Sequence, residues 1–422
     1  MKRHFLFFSI ILLLLSSFSH PSSEEGTWGF WAHRRINRLA VFTLPTEMLG
    51  FYKKHIEYIT EHAVDPDKRR YASKFEASRH YIDIDHWGVY PFTEVPRDWD
   101  EALMKYSSLY IISTKGDTLE LIGPKVTEEL EGQLIYKGPQ IGLEALENKL
   151  SKKDYAAFFR ENILSQYYEE EWVVAPDSLN KLLGQNLDIK KAYAVDHFSE
   201  YGTAPYNLLQ IQNRLTRAFR SRNEAAILRL SAEMGHYIGD GHVPLHTTEN
   251  YNGQLTNQVG IHAFWESRIP ELFADDQYDY FVGRANYIED PKNYYWDVIL
   301  ESHSLLDSVL IIEKELSQMF PQDQQYCFEE RLGRTIRTQC TEYAAAYQDR
   351  LNGMIERRMQ DAILSIGSAW YTAWINAGQP DLRDLSSNAQ AIAKQEEKLM
   401  KELNQAFQSG EIKGRAHQNK EE

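Results

Sequence analysis

The sequence predicts an all-α protein: a multi-helix domain with one irregular insertion at about 90–190 and a helical C-terminal extension over 301–422. Two observations support this prediction. Apolar residues recur at three- and four-residue spacing along most of the 422 residues, which is typical of amphipathic helices. Only residues 109–123 alternate like a pair of strands, with a turn at 115–117.

Individual helices are placed by their apolar period and by the residues that begin them. Six stretches have the helical period: 31–44, 48–59, 205–219, 221–238, roughly 297–318 and 341–376. Pro45 precedes the second stretch, and Thr203 with Pro205 forms a helix start before the third. Residues 221–224 are a capping box for the fourth. The charged tail from Ser387 is expected to be one exposed helix with a frayed end.

Composition excludes several classes of protein. The chain has 46 Lys and Arg against 61 Asp and Glu, a net charge of −15, which argues against a protein that coats nucleic acid through broad positive charge. A site that binds phosphate through metal ions stays open. Two cysteines exclude a disulfide scaffold and a Cys-rich metal site. A Cys327–Cys340 bond is feasible in an oxidising compartment, and two unpaired thiols are the alternative.

The first nineteen residues have the layout of a secretory signal peptide. A basic start at 2–4 precedes an eleven-residue apolar run at 5–15, and small residues at 17–19 offer a cleavage point. Eleven apolar residues are too few for a comfortable membrane span, and an uncleaved anchor is the alternative. We therefore expect a secreted or periplasmic protein that loses residues 1–19.

Metal-ligand residues are concentrated in two helical stretches. His236 and Asp240 are four residues apart, so their side chains leave the same face of one helix, and His246 follows after a turn. His262 and Glu266 repeat the four-residue spacing on a second predicted helix. Imidazole and carboxylate groups suit zinc. One such pair is typical of an ordinary helix face, but two pairs joined by a histidine indicate a metal site.

Further metal-ligand candidates lie upstream, in three short motifs. They are Trp28, His33, Asp65, His80 and Asp83. Each alone would be a turn or surface residue, and Asp67 and Asp85 are interpreted in that way.

In their order along the chain, these motifs resemble the zinc-dependent phospholipase C and single-strand-specific nuclease superfamily. The motifs are Trp-Gly-x-x-x-His at 28–33, Asp65, His-Tyr-Ile-Asp at 80–83, His-Tyr-Ile-Gly-Asp at 236–240 with Pro-Leu-His at 244–246, and His-x-x-x-Glu at 262–266. Asp65 precedes His80 by fifteen residues, similar to the family's interval. The resemblance implies an all-α domain over 28–300 that holds three zinc ions in a cleft.

The resemblance also assigns ligands to each ion. The first ion would be held by Asp65, His80, His236 and Asp240. The second would be held by His246, His262 and Glu266. The third would be held by His33 and the backbone of Trp28, with Asp240 bridging to the first. In the family that tryptophan is the mature N-terminus, whereas cleavage after Ser19 would leave eight residues before Trp28.

Roles beyond metal binding are implied for five residues. Asp65 would assist the attacking water, and Lys68 or Arg69 would brace the transition state. Tyr81 and Asp83 match residues that contact the base of a nucleic acid in the nuclease branch. Core and turn roles are the alternative for both.

The predicted function is an exported zinc-dependent phosphodiesterase that uses a zinc-activated water. Its substrate is a phosphodiester, either single-stranded nucleic acid or phospholipid. Glu266 is typical of the phospholipase branch and the Trp28–His33 spacing of the nuclease branch, so the two substrates stay open. The alternative is a non-catalytic zinc-binding exported protein on the same fold. No stable protein partner is inferred.

Overall fold

The computed structural model describes residues 29–70, 74–137, 147–331, 333–383 and 385. The predicted signal peptide, Trp28 and the charged tail from Ser387 lie outside the described residues. Within the described ranges, no helix is both long and apolar enough to cross a membrane.

The all-α prediction is wrong. In the described part of the chain, helices are accompanied by nine strands in three antiparallel sheets. The predicted strand pair is present, with Ile111 opposite Leu119, but it belongs to a larger sheet. The other strands escaped prediction because most have only three to six residues, too few to show a period of two.

Five helices precede the insertion in the described residues. They are α1 Gly29–Ala40, α2 Thr46–Lys54, α3 Ile56–Glu61, α4 Asp65–Arg69 and α5 Lys74–Ala77. Short 3-10 turns follow α1 and α5, and the second of these, Ser78–His80, carries His80.

The predicted insertion contains two of the three sheets. Its elements are α6 Trp99–Tyr106, β1 Ser107–Ser113, β2 Thr118–Ile122, β3 Thr127–Leu130, β4 Gln133–Lys137, β5 Glu147–Ser151, α7 Lys152–Asn162, β6 Trp172–Val174, α8 Pro176–Leu183 and β7 Ile189–Asp196. One sheet has the order β2-β1-β7-β6 and the other β3-β4-β5. These strands and helices share a core of their own, which includes Leu103, Phe159 and Phe198.

Helices dominate the remainder, with one hairpin. The elements are α9 Ala204–Arg220, α10 Glu224–Gly241, α11 Ile261–Ala263, α12 Ile269–Gln277, α13 Pro291–Ser304, α14 Leu306–Met319, β8 Tyr326–Arg331, β9 Arg334–Gln339, α15 Thr341–Leu351 and α16 Met354–Asn376. A π-helical segment, Phe264–Arg268, joins α11 to α12. Of the two alternatives for Cys327 and Cys340, the structure has the disulfide, which lies at the hairpin.

Helix α10 is the central element, buried along most of its length. It packs against α1, α9, α13 and α16, so the C-terminal extension shares the main core. Two glycines let α1 approach it closely. A Cβ at Gly235 would lie 1.8 Å from Asn37 Oδ1, and one at Gly239 would lie 3.0 Å from His33 Nδ1. The contact brings His33 beside the C-terminal half of α10.

Candidate metal centre

Metal-ligand side chains from seven segments converge at the C-terminal half of α10. Among the described residues, three groups have ligand atoms close enough to hold a metal ion. The His80 group is Asp67, His80 and His236; the His33 group is His33, His236 and Asp240; the His262 group is His246, His262 and Glu266.

The His80 group is packed around one oxygen of Asp240. Oδ2 of Asp240 lies 2.9 Å from His80 Nδ1 and 3.3 Å from His236 Nε2. Those two ring nitrogens are 3.1 Å apart. Asp67 Oδ1 completes the group at 3.8 Å from each of them. The structure therefore brings His80, His236 and Asp240 together as predicted.

The His262 group lies on the other side of Asp240. His246 Nε2 is 3.0 Å from His262 Nε2 and 3.3 Å from Glu266 Oε2. His262 Nε2 is 2.6 Å from the same carboxylate oxygen. Three ligand atoms thus face one point, as predicted for these residues.

His33 lies between two carboxylates that belong to different groups. Its Nε2 is 3.4 Å from Asp240 Oδ1 and 3.6 Å from Glu266 Oε1. Asp240 therefore presents one oxygen to His33 and the other to His80 and His236. With its two oxygens facing different histidines, Asp240 could bridge two ions, which is the position predicted for it. Trp28, the other predicted ligand of the third ion, lies outside the described residues.

Backbone carbonyls fix which ring nitrogen faces the centre. His236 Nδ1 donates to the carbonyl oxygen of Ala63 at 2.9 Å, and His246 Nδ1 donates to that of His80 at 2.6 Å. A carbonyl can only accept, so Nδ1 carries a proton in each ring and Nε2 faces the other ligands. Outer partners of this kind orient metal-binding histidines in many proteins.

Buried carboxylates dominate the electrostatics of the centre. Burial alone would raise the pKa of Asp240 and Glu266, but the surrounding histidines hold both pKa values well below the usual range. Burial opposes protonation of His33 and His246. Asp240 and Glu266 nevertheless raise the pKa of His33 to about 10 and that of His246 to about 9. Without a metal, these imidazolium ions balance the carboxylates.

The metal-free protein is expected to lose stability as pH rises from 7 to 10. A histidine whose folded pKa exceeds its unfolded value of 6.5 stabilises fully below 6.5 and loses that contribution as pH passes its folded pKa. His33 and His246 both behave in this way. A bound metal replaces the protons, so the metal-loaded protein should not show this loss. Thermal unfolding of both forms at pH 7 and 10 checks this, and parallel curves would contradict it.

The structure places Asp67, not Asp65, in the His80 group. Asp65 instead lies 2.5 Å from His62 Nδ1 and 3.2 Å from Lys68 Nζ, outside the three groups found among the described residues. Residues two apart on a helix point about 200° apart, so only one of these two aspartates on α4 can face the centre. The helical spacing therefore indicates that one of the two aspartates faces away from the centre, but it does not indicate which one.

The predicted cations pair with other carboxylates, and a third cation lies beside Asp67. Lys68 pairs with Asp65, and Arg69 Nη1 pairs with Glu233 Oε1 at 2.8 Å. Arg70, which sequence reasoning missed, lies 3.6 Å from Asp67 Oδ1. Arg70 follows Asp67 by three residues. Lys68 follows Asp65 by the same interval, and the family resemblance had pointed to Lys68 for that reason.

A small pocket, open to solvent, lies beside the His262 group. Its lining residues are Arg70, Ala77, Tyr81, Asp83, Leu245, His246, Tyr251 and His262. The predicted substrate residues Tyr81 and Asp83 therefore line the same pocket as two metal-ligand candidates. The Tyr81 hydroxyl donates to the carbonyl oxygen of Glu200 at 3.0 Å, which fixes the ring at the pocket wall.

No protein-family model and no curated protein matches this chain.

Proposed function

We propose that this protein is an exported zinc-dependent phosphodiesterase. One observation carries the proposal: three groups of metal ligands meet around Asp240, beside a pocket that also contains Arg70. The order of the same residues along the chain resembles the phospholipase C and nuclease superfamily, which gives independent support. Metal binding alone would not require a cationic pocket beside the ligands.

The donor set fits zinc. Two ligands at 2.0–2.2 Å from one tetrahedral ion lie about 3.4 Å apart. The distances within the His262 group are 2.6 to 3.3 Å, and those around Asp240 Oδ2 are 2.9 to 3.3 Å. Nitrogen and oxygen donors are the ligands that zinc accepts. Small outward movements would therefore accommodate an ion in each group.

The bound zinc, Arg70 and Asp67 would each have a separate role in phosphodiester hydrolysis. Bound zinc would lower the pKa of water to about 7 and supply hydroxide near neutrality. Arg70 presents a guanidinium where a phosphate would enter the pocket, and planar guanidinium groups pair well with phosphate oxygens. Burial raises the pKa of Asp67 but His236 and Arg70 lower it further, so the carboxylate is ionised. We therefore transfer the proton-accepting role predicted for Asp65 to Asp67.

Both predicted substrate classes find support around the pocket. Tyr81 and Tyr251 could stack on a nucleic-acid base. The loop between His246 and His262 exposes Leu255 and Val259, which are 71% and 62% exposed and could enter a lipid surface. The two classes therefore have to be separated by assay.

Metal analysis and two hydrolysis assays test the proposal together. Full-length protein is expected to carry two to three zinc ions per chain and to cleave either single-stranded DNA or phosphatidylcholine vesicles. Removal of the ions with a chelator should abolish turnover, and added zinc should restore it. Bound metal without turnover on either substrate would favour the non-catalytic alternative, and absence of metal would contradict the proposal.

A further inference from the structure

The carboxylate of the His262 group that also faces His33 lies on an unusual helical segment. Glu266 is the middle residue of the π-helical segment Phe264–Arg268, and its two oxygens face different partners. Oε1 faces His33, and Oε2 faces His246 and His262. A small rotation of this segment would move both oxygens. Isolated π-helical turns are rare and persist where the surrounding structure holds them.

Arg268 holds the C-terminal end of the segment from the side away from the metal ligands. Its side chain is 2% exposed. Nη1 donates to Glu329 Oε2 at 3.1 Å, Nη2 donates to Glu329 Oε1, and Nε donates to the carbonyl oxygen of Gln339 at 3.1 Å. A buried guanidinium is costly unless paired, and a two-pronged contact fixes its plane as well as its position.

Both partners of Arg268 belong to the hairpin that the disulfide closes. Glu329 lies on β8, two residues after Cys327, and Gln339 ends β9, immediately before Cys340. The disulfide therefore fixes the two strands relative to each other next to the guanidinium.

The helix that follows the hairpin holds the other end of the π segment. Cys340 precedes α15, which carries Tyr343 and Tyr347. Their rings stack on Phe264, the first residue of the segment, with centroids 5.5 and 4.9 Å from it. The hairpin thus contacts the C-terminal end of the π segment, and α15 contacts its N-terminal end.

We propose that Arg268 is a positioning residue for the His262 group and that the disulfide-closed hairpin β8–β9 is its anchor. Arg268 acts through the backbone of the π segment, since its side-chain hydrogen bonds go to Glu329 and Gln339. The C-terminal extension thereby tunes the metal affinity of one group. The inference rests on the metal-binding part of the proposed function.

Metal titration of full-length variants tests this role. Metal-free protein is titrated with Zn²⁺ against a competing chelator, and with Co²⁺ while its absorption spectrum is recorded. Arg268→Met, Glu329→Gln and the Cys327→Ser/Cys340→Ser double variant should each weaken one site by about 10- to 100-fold, the usual effect of losing an outer partner. The Co²⁺ spectrum of that site should change, while the other sites keep wild-type affinity. Arg268→Lys should not restore the affinity, because lysine cannot make the two-pronged contact.

A neighbouring carboxylate on the same strand is the matched control. Glu330 follows Glu329 on β8, is exposed, and accepts a hydrogen bond from Thr335 within the hairpin. Glu330→Gln should bind metal like the wild type. If Arg268→Met does not fold, Glu329→Gln decides, because the Glu329 side chain is 33% exposed and tolerates an amide.

The outcomes separate the two proposals. A wild-type protein that binds metal, with Arg268→Met and Glu329→Gln variants of unchanged affinity and spectrum, overturns the positioning role alone. A uniform weakening of every site would also overturn it, since that result indicates general destabilisation. A wild-type protein that binds no metal overturns the proposed function and this inference with it.

Discussion

Replacing Asp240 with asparagine is expected to remove metal from the His80 group and to reduce turnover by roughly 1,000-fold, the equivalent of about 4 kcal/mol in the barrier. Asp240 uses both carboxylate oxygens, one toward His80 and His236 and the other toward His33. The amide keeps the shape but replaces one oxygen with an NH₂ group, which cannot act as a ligand. Elemental analysis and turnover of the purified variant measure both effects.

A buried histidine immediately after α10, two residues from Asp240, controls for loss of structure. His242 is buried, its Nδ1 donates to Ile238, and its Nε2 lies 3.3 Å from Ser365 Oγ, outside the three metal groups of the described chain. His242→Asn should cost about 1–3 kcal/mol of unfolding free energy through its lost hydrogen bonds. Metal content should stay unchanged. An Asp240→Asn protein with full metal content and turnover would contradict the shared-ligand role.

The residues of the metal centre could be predicted largely because helical spacing is local information. His236 and Asp240, like His262 and Glu266, are four residues apart, and that spacing places each pair on one face. The close approach of His33 depends on Gly239, which no local pattern reports, and was predicted only through the family resemblance.

The four-stranded sheet could be predicted only as its β1–β2 pair, because its other pairings are not local. Strand β1 pairs with β7, which begins 76 residues after β1 ends (189 − 113), and β6 has only three residues. No window of sequence contains both partners, and a three-residue strand shows no alternation. The contact between Arg268 and Glu329 was hidden for the same reason, since it joins residues 61 positions apart.

The choice between Asp65 and Asp67 shows where the family interval and the packing disagree. Fifteen residues before His80 lies Asp65, but Asp67 is the carboxylate that faces His80 and His236. Asp65 is satisfied by His62 and Lys68, and burial raises its pKa less than those two partners lower it. An aspartate already paired in this way has no need of a metal ion.

Two matched substitutions on α4 should therefore have very different effects. Asp67→Asn is expected to weaken metal binding at the His80 group by at least about 100-fold, since a ligand and a partly buried negative charge are lost together. Turnover should fall with it. Asp65→Asn removes the partly exposed pairs with His62 and Lys68, each worth about 1 kcal/mol or less, and should leave metal content unchanged.

Competition titration with zinc, combined with thermal unfolding, measures both variants on the same scale. The two substitutions are chemically identical and lie two residues apart, so a difference between them reports the direction of each side chain. If Asp65→Asn lost the metal and Asp67→Asn kept it, Asp65 would be the ligand, as the family resemblance implies, and the assignment of Asp67 would be wrong. The pair of variants thus decides which of the two aspartates is the carboxylate ligand.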